Sequence, residues 1–218
     1  MAKQMKCIAV TDFIPKSKVF GVEGLAIGWG LGWIPLMACL EGNWGDANMV
    51  LQVGNEFPEV SLKYVPYDAA NPEACGLPQA LDTKKDFAGK KVVIFGLPGA
   101  FTPTCSAQHL PLYVAQADAI KAKGVDLIVC VSSNDFFVLD AWGKQNKVNG
   151  KIIMASDANG ELGRATGLSL DLSKLGMGSQ RLARFAAIIV DGKVVHLSVE
   201  PNPGEVAVSG ADSILAAL

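Results

Sequence analysis

The chain reads as an α/β protein, a central mixed β-sheet flanked by helices. Three observations predict this. Two short, mostly apolar runs, residues 91–97 (KVVIFGL) and 125–131 (VDLIVCV), have the length and β-branched content of buried strands. A segment of helical length, residues 104–123, lies between them and stops at Gly124. Later, residues 184–190 and 193–199 flank Asp191-Gly192, a strong two-residue hairpin signal.

The elements follow in order. Residues 1–51 read as an extension. Lys3, Lys6, Lys16 and Lys18 precede an uncharged stretch, residues 24–40, rich in glycine and tryptophan. That stretch falls short of the roughly 20 residues a membrane span needs, and Gly28, Gly30, Gly32 and Pro35 make it a poor helix. A basic start followed by an apolar run fits either a targeting segment or a poorly ordered extension, although the arginines of a mitochondrial transit peptide are missing. The globular domain is expected over residues 52–218. Val60, Leu62, Tyr64 and Pro66 alternate with more polar positions, as in a strand. Residues 67–89 carry turn formers and Cys75. After the two buried strands and their helix, residues 134–145 read as a helix with Asn134 as N-cap. Residues 152–155 form a short strand, and residues 161–166 a short helix ended by Gly167. The hairpin and a last helix over residues 211–218 complete the order.

The chain has 218 residues, half of them apolar and 18% charged, enough to bury a sizeable core. A formal net charge of -2 offers no electrostatic footprint for nucleic acid. Five cysteines, Cys7, Cys39, Cys75, Cys105 and Cys130, make an odd count without a CxxC pair. That argues for a reducing, cytoplasmic setting with one or two reactive thiols, and against a disulfide framework or zinc site. Mitochondrial placement is the alternative if residues 1–50 are a targeting segment. The final Ala216-Ala-Leu218 is a poor match to a peroxisomal address. His109 and His196 are the only histidines, too few for a histidine-based metal site.

The chemistry points to Cys105. It follows the segment GLPGAFTPT, where a buried strand ends and a long helix begins, and α/β sheets build ligand sites at such strand ends. Pro103 suits a first helical turn, which places Cys105 at a helix N-terminus. The thiolate is the nucleophile, and the dipole there favours it by only about 0.3–1 kcal/mol. A nearby cation is needed as well; at about 4 Å and an effective dielectric near 20 it adds up to about 4 kcal/mol. The arginines are Arg164, Arg181 and Arg184, and Arg184 opens a core strand. His109, four positions after Cys105, reads as a packing or pocket-lining residue rather than a base, and Trp142 as packing of the second helix.

Pro98-Gly-Ala-Phe-Thr-Pro-Thr-Cys105 resembles the peroxiredoxin signature PxxxTxxC, and the longer GLPGAFTPTCS resembles its type II, peroxiredoxin-5-like branch. The likeness continues through residues 122–126, Ser133-Asn-Asp135, Ala141-Trp-Gly143, Asp157 and Arg181-Leu-Ala-Arg-Phe185. The resemblance implies a thioredoxin-like fold and reduction of hydrogen peroxide and alkyl hydroperoxides without cofactor or metal. It implies Cys105 as the peroxidatic cysteine, Thr102 as donor to the thiolate and the peroxide, Pro98 as shield of the pocket, and Arg184 as the polarising cation. The sulfenic acid formed at Cys105 would then need a second thiol. Cys75 resembles the resolving cysteine of fungal members and Cys130 that of plant members; thioredoxin, glutaredoxin or glutathione would supply electrons. Cys130 falls inside a buried strand, where a cysteine is usually inert. A homodimer is the family expectation, and no membrane partner is implied. The same residues would serve a peroxide sensor that passes its disulfide to a partner protein.

Overall fold

The structure is a computed structural model and describes residues 50–218. Cys7, Cys39 and the stretch 24–40, read above as part of an extension, lie outside the described residues. Leu51 is already packed, and its N–H donates to the Thr166 carbonyl at 2.8 Å.

The elements in chain order are β1 (Ser61–Tyr64), β2 (Gln79–Asp82), α1 (Thr83–Phe87), β3 (Lys91–Gly96), a π-helical turn (Cys105–His109), α2 (Leu110–Ala122), β4 (Leu127–Ser132), α3 (Phe136–Gln145), β5 (Ile153–Ser156) and α4 (Glu161–Thr166). A two-stranded ribbon of β6 (Ser169–Leu170) and β7 (Arg181–Leu182) follows, then β8 (Phe185–Val190), β9 (Lys193–Val199) and α5 (Ala211–Ala217). Seven strands form one mixed sheet in the order β2-β1-β5-β4-β3-β8-β9. β3, β4 and β5 run parallel, and β8 joins β3 antiparallel.

The period-2 pleat of β3 divides the core into two halves. Val93 and Phe95 face one side, with Leu110 and Tyr113 of α2, Leu139 and Trp142 of α3 and Ile214 of α5. Val92 and Ile94 face the other, with Phe87 of α1 and Leu162 of α4. Both faces are therefore covered, which is why the strand reads as a continuous apolar run. β3 ends at Gly96, where a Cβ would stand 2.2 Å from the Phe185 ring of β8. This close approach brings the end of β3 and the start of β8 together, and with them Cys105 and Arg184.

Local signals behave as their chemistry requires. Gly167 closes α4 in the left-handed region at φ 68°. Asp191 and Gly192 take φ 49° and 78°, the pair of positive values that a tight hairpin needs. One expectation is corrected. Asp135, not Asn134, caps α3, its carboxylate accepting from the N–H groups of Phe137 and Val138. Asn134 is instead taken up by the neighbouring loop: its Oδ1 accepts from the Ala100 N–H at 2.9 Å and the Ser132 hydroxyl at 3.0 Å.

Candidate active site

The segment from Leu97 to Thr104 is pinned at both ends. Leu97 N–H donates to Val131 O at 3.0 Å, Asn134 fixes Ala100, and Thr104 Oγ1 donates to Gly204 O at 2.9 Å. The helix that follows opens with a π-helical turn, in which the Leu110 N–H reaches back to Cys105 O. Such wide turns recur at functional sites. Here the turn sets Cys105 and His109 on one buried face.

Cys105 is fully buried, and Arg184 Nη2 donates to its sulfur at 3.3 Å. Arg184 is only 1% exposed, and all three of its guanidinium nitrogens are bonded. Nε and Nη2 donate to Pro203 O at 3.0 and 2.8 Å, and Nη1 to His109 Nδ1 at 3.0 Å. Among the described residues no carboxylate pairs with it; the four ion pairs there all belong to lysines. A buried charge without an opposite partner costs several kcal/mol. Among the described residues, the Cys105 sulfur is the acidic group that its guanidinium touches.

His109 does more than pack. Its Nδ1 accepts from Arg184, so the imidazole proton sits on Nε2 and is donated to Ser209 O at 3.0 Å. Phe95 and Tyr113 meet the ring edge-on at centroid distances of 5.2 and 5.5 Å. Burial holds its pKa down at about 4; the Arg184 guanidinium adds to this, while Ser209 O and Glu200 oppose it. The residue is neutral at physiological pH and acts as an acceptor for the arginine. The i, i+4 spacing from Cys105 was its one signal in the sequence.

The depressed value makes a stability prediction. An unfolded histidine takes up its proton near pH 6.5, whereas folded His109 does so near 4. Between those values the unfolded state binds more protons, so stability is full above pH 6.5 and falls as pH drops towards 4. The gap corresponds to about 3 kcal/mol. Urea unfolding at pH 7 and 4.5 should reveal most of this loss, and His109→Phe should lack its share of it.

The other expected site residues fall as follows. Pro98 is buried beside the sulfur's loop, and its carbonyl accepts from Arg181 Nη1 at 3.4 Å. Thr102 lies in the same loop, but its hydroxyl donates to Gly99 O at 2.9 Å and makes no hydrogen bond to Cys105 Sγ. That donation commits the hydroxyl proton and leaves the oxygen's lone pairs able to accept. Cys75 is exposed and Cys130 is fully buried, and both are free thiols in this structure, as is Cys105. Burial pushes the Cys130 thiol well up, with the neighbouring Cys105 sulfur adding to it. Sequence reasoning missed the 200–209 loop altogether. Its contribution is made by the backbone carbonyls of Pro203, Gly204 and Ser209, which no residue type announces.

Comparisons with known proteins agree with this arrangement. The Redoxin family model matches residues 52–215. Peroxiredoxin Pen c 3 of Penicillium citrinum is 37% identical over 171 residues, 77% of this chain and 98% of its own. The reduced Prx3 of Vibrio vulnificus, crystallised in complex with hydrogen peroxide, is 42% identical, with a TM-score of 0.68 over 77% of this chain and 99% of its own. Peroxiredoxin 5 of Alvinella pompejana is 32% identical, with a TM-score of 0.62 over 76% of this chain and 96% of its own.

Proposed function

Because the chain belongs to the peroxiredoxins, on the type II, peroxiredoxin-5-like side of the family, and is thus a thiol-dependent peroxidase with a thioredoxin-like fold, we propose that Cys105 is the sulfur that attacks the peroxide. The observation that carries this is the Arg184 Nη2 donor 3.3 Å from Cys105 Sγ. Residues 52–218 form the catalytic unit on this reading. The substrates are hydrogen peroxide, as bound by the Vibrio relative, and alkyl hydroperoxides.

The chemistry follows from charge movement. The Cys105 thiolate attacks one peroxide oxygen; the S–O bond forms as the O–O bond breaks. The electron pair passes to the distal oxygen, which takes up a proton and leaves as water or alcohol. Cys105 is oxidised to a sulfenic acid and the peroxide is reduced. Arg184 is bound to the sulfur before the step and follows the charge onto the departing oxygen, a preorganised donor in a water-poor site. The Thr102 hydroxyl oxygen accepts a hydrogen bond from the peroxide O–H and orients it, and Pro98 walls the pocket.

Cys75 is the resolving thiol in this reading, since it is exposed while Cys130 is buried with its thiol held protonated. Its thiolate attacks the sulfenic sulfur; an S–S bond forms, and hydroxide leaves and is protonated to water. A thioredoxin, glutaredoxin or glutathione system, acting in the cytoplasm, then reduces the disulfide, and the protein works as a homodimer in redox homeostasis. One experiment tests both sulfurs. After one equivalent of peroxide, peptide mapping should find a Cys75–Cys105 disulfide. In Cys75→Ser it should find a dimedone adduct on Cys105 instead. A Cys105–Cys130 disulfide would transfer the resolving role, and a dimedone adduct elsewhere would remove Cys105 from the chemistry.

A further inference from the structure

We infer that Glu200 is a positioning residue for the peroxidase reaction, its buried carboxylate folding the 200–209 loop so that backbone carbonyls hold the Arg184–His109 pair against Cys105. This rests on the reading that Cys105 and Arg184 carry the chemistry.

Glu200 is 5% exposed. One of its oxygens, Oε1, gathers four donors at 2.8 Å: the N–H groups of Ala207, Val208 and Ser209, and the Ser209 hydroxyl. Its own N–H donates to Arg184 O at 2.9 Å. The side chain therefore closes the loop from 200 to 209 and starts it from the backbone of the arginine that the loop serves. Apart from the Ser209 hydroxyl, 3.4 Å from His109 Nε2, the loop meets the site through carbonyls. Pro203 O takes two donors from Arg184, Gly204 O takes Thr104 Oγ1, and Ser209 O takes both His109 Nε2 and Tyr113 Oη. Carbonyls have no anchor of their own. Their positions depend on what sets the loop's backbone, and Glu200 Oε1 sets three consecutive residues of it.

A buried carboxylate is costly unless it is well bonded. Burial pushes the Glu200 carboxyl up, but the bonds from Ser209, Val208 and Ala207 outweigh this and hold it below the ordinary glutamate range. Its second oxygen, Oε2, is buried without a partner among the described residues. The bonding of this carboxylate is thus directed wholly at the loop. The anion also lies behind His109, on the side away from the Arg184 cation, separated from it by the Ser209 hydroxyl and the neutral imidazole.

The test is a mutant cycle read by stopped-flow oxidation with hydrogen peroxide. Glu200→Ala should slow oxidation about 30-fold, as expected when a donor drifts by a fraction of an ångström. Glu200→Gln keeps an oxygen acceptor for the same four donors and should recover most of this, to within about fivefold of the parent. Glu200→Ala combined with Arg184→Ala should be no slower than Arg184→Ala alone, because the effect passes through the arginine. The Arg184 Nε–H resonance, identified by its loss in Arg184→Lys, should shift in Glu200→Ala and return in Glu200→Gln. If Glu200→Ala does not fold, Glu200→Asp, which withdraws the acceptor by one methylene, takes its place in the cycle. A folded Glu200→Ala that oxidises within twofold of the parent overturns the inference, as does a double variant whose losses multiply. A fast Arg184→Ala would instead overturn the reading beneath it.

Discussion

Cys105→Ser should abolish thiol-dependent peroxide consumption, a loss of at least about 10⁴-fold, while far-UV circular dichroism stays unchanged. The two side chains differ by one atom, and the site is fully buried within a packed core, so the fold has little to rearrange. What changes is the nucleophile. A thiol ionises within reach of neutral pH, whereas a serine hydroxyl attacks only when a base takes its proton. Among the described residues no such base bonds to Cys105. His109 is four residues away, but its Nδ1 is occupied by Arg184 and its Nε2 proton is already given to Ser209 O. The variant also tests the electrostatics. Serine offers Arg184 an acceptor that cannot take on the negative charge a thiolate carries, so the buried guanidinium gains no compensation from it. Relative to the reduced parent at pH 7, a destabilisation of about 1–3 kcal/mol is expected, read by urea unfolding. Peroxide consumption above a tenth of the parent rate would remove Cys105 from the reaction.

The sequence carried the parts of this site that reside in residue identity. Pro98, Thr102 and Cys105 stand in one dense motif and Arg184 in a second stretch, Arg181-Leu-Ala-Arg-Phe185, and turn glycines such as Gly167 and Gly192 declare their own φ. The buried strands were legible because β3 and β4 are covered on both faces and so lose their alternation. The rest was hidden for physical reasons. The π-helical turn at Cys105–His109 is a matter of one hydrogen-bond register, to which side-chain periodicity is blind. β6 and β7 are two residues each, shorter than any repeat that could reveal them. Asn134 and Asp135 are both good caps; the choice fell to Asp135 because Asn134 was claimed by Ala100, a contact 34 residues away. Thr102 illustrates the same limit at the chemical level. Its presence was legible, but the direction of its proton, towards Gly99 O, depends on the folded loop.

Arg184→Ala should slow oxidation of Cys105 by hydrogen peroxide about 10³-fold, and Arg184→Lys should recover only part of that. Removing one preorganised donor from a site of this kind costs about 10²–10³. On the proposed reading Arg184 is both that donor and the positive charge beside the sulfur, so the upper end is expected. The lysine variant separates the two contributions. An ammonium can restore a positive charge near the sulfur, but it cannot hold Pro203 O, His109 Nδ1 and Cys105 Sγ together, because those acceptors are spread around a planar fork. If charge alone mattered, the lysine variant would match the parent. If geometry dominates, it stays within about tenfold of the alanine variant. The alanine variant also strands two buried acceptors, Pro203 O and His109 Nδ1, at about 1–3 kcal/mol each, partly offset by relief of the buried charge. Its unfolding midpoint should therefore fall by less than the two acceptors alone would cost. The imidazole, relieved of the neighbouring cation that helps depress it, should titrate above its present value of about 4 when followed by NMR. A variant that lost activity while His109 titrated unchanged would mean that Arg184 acts on the sulfur without engaging the histidine, contrary to the 3.0 Å bond between them.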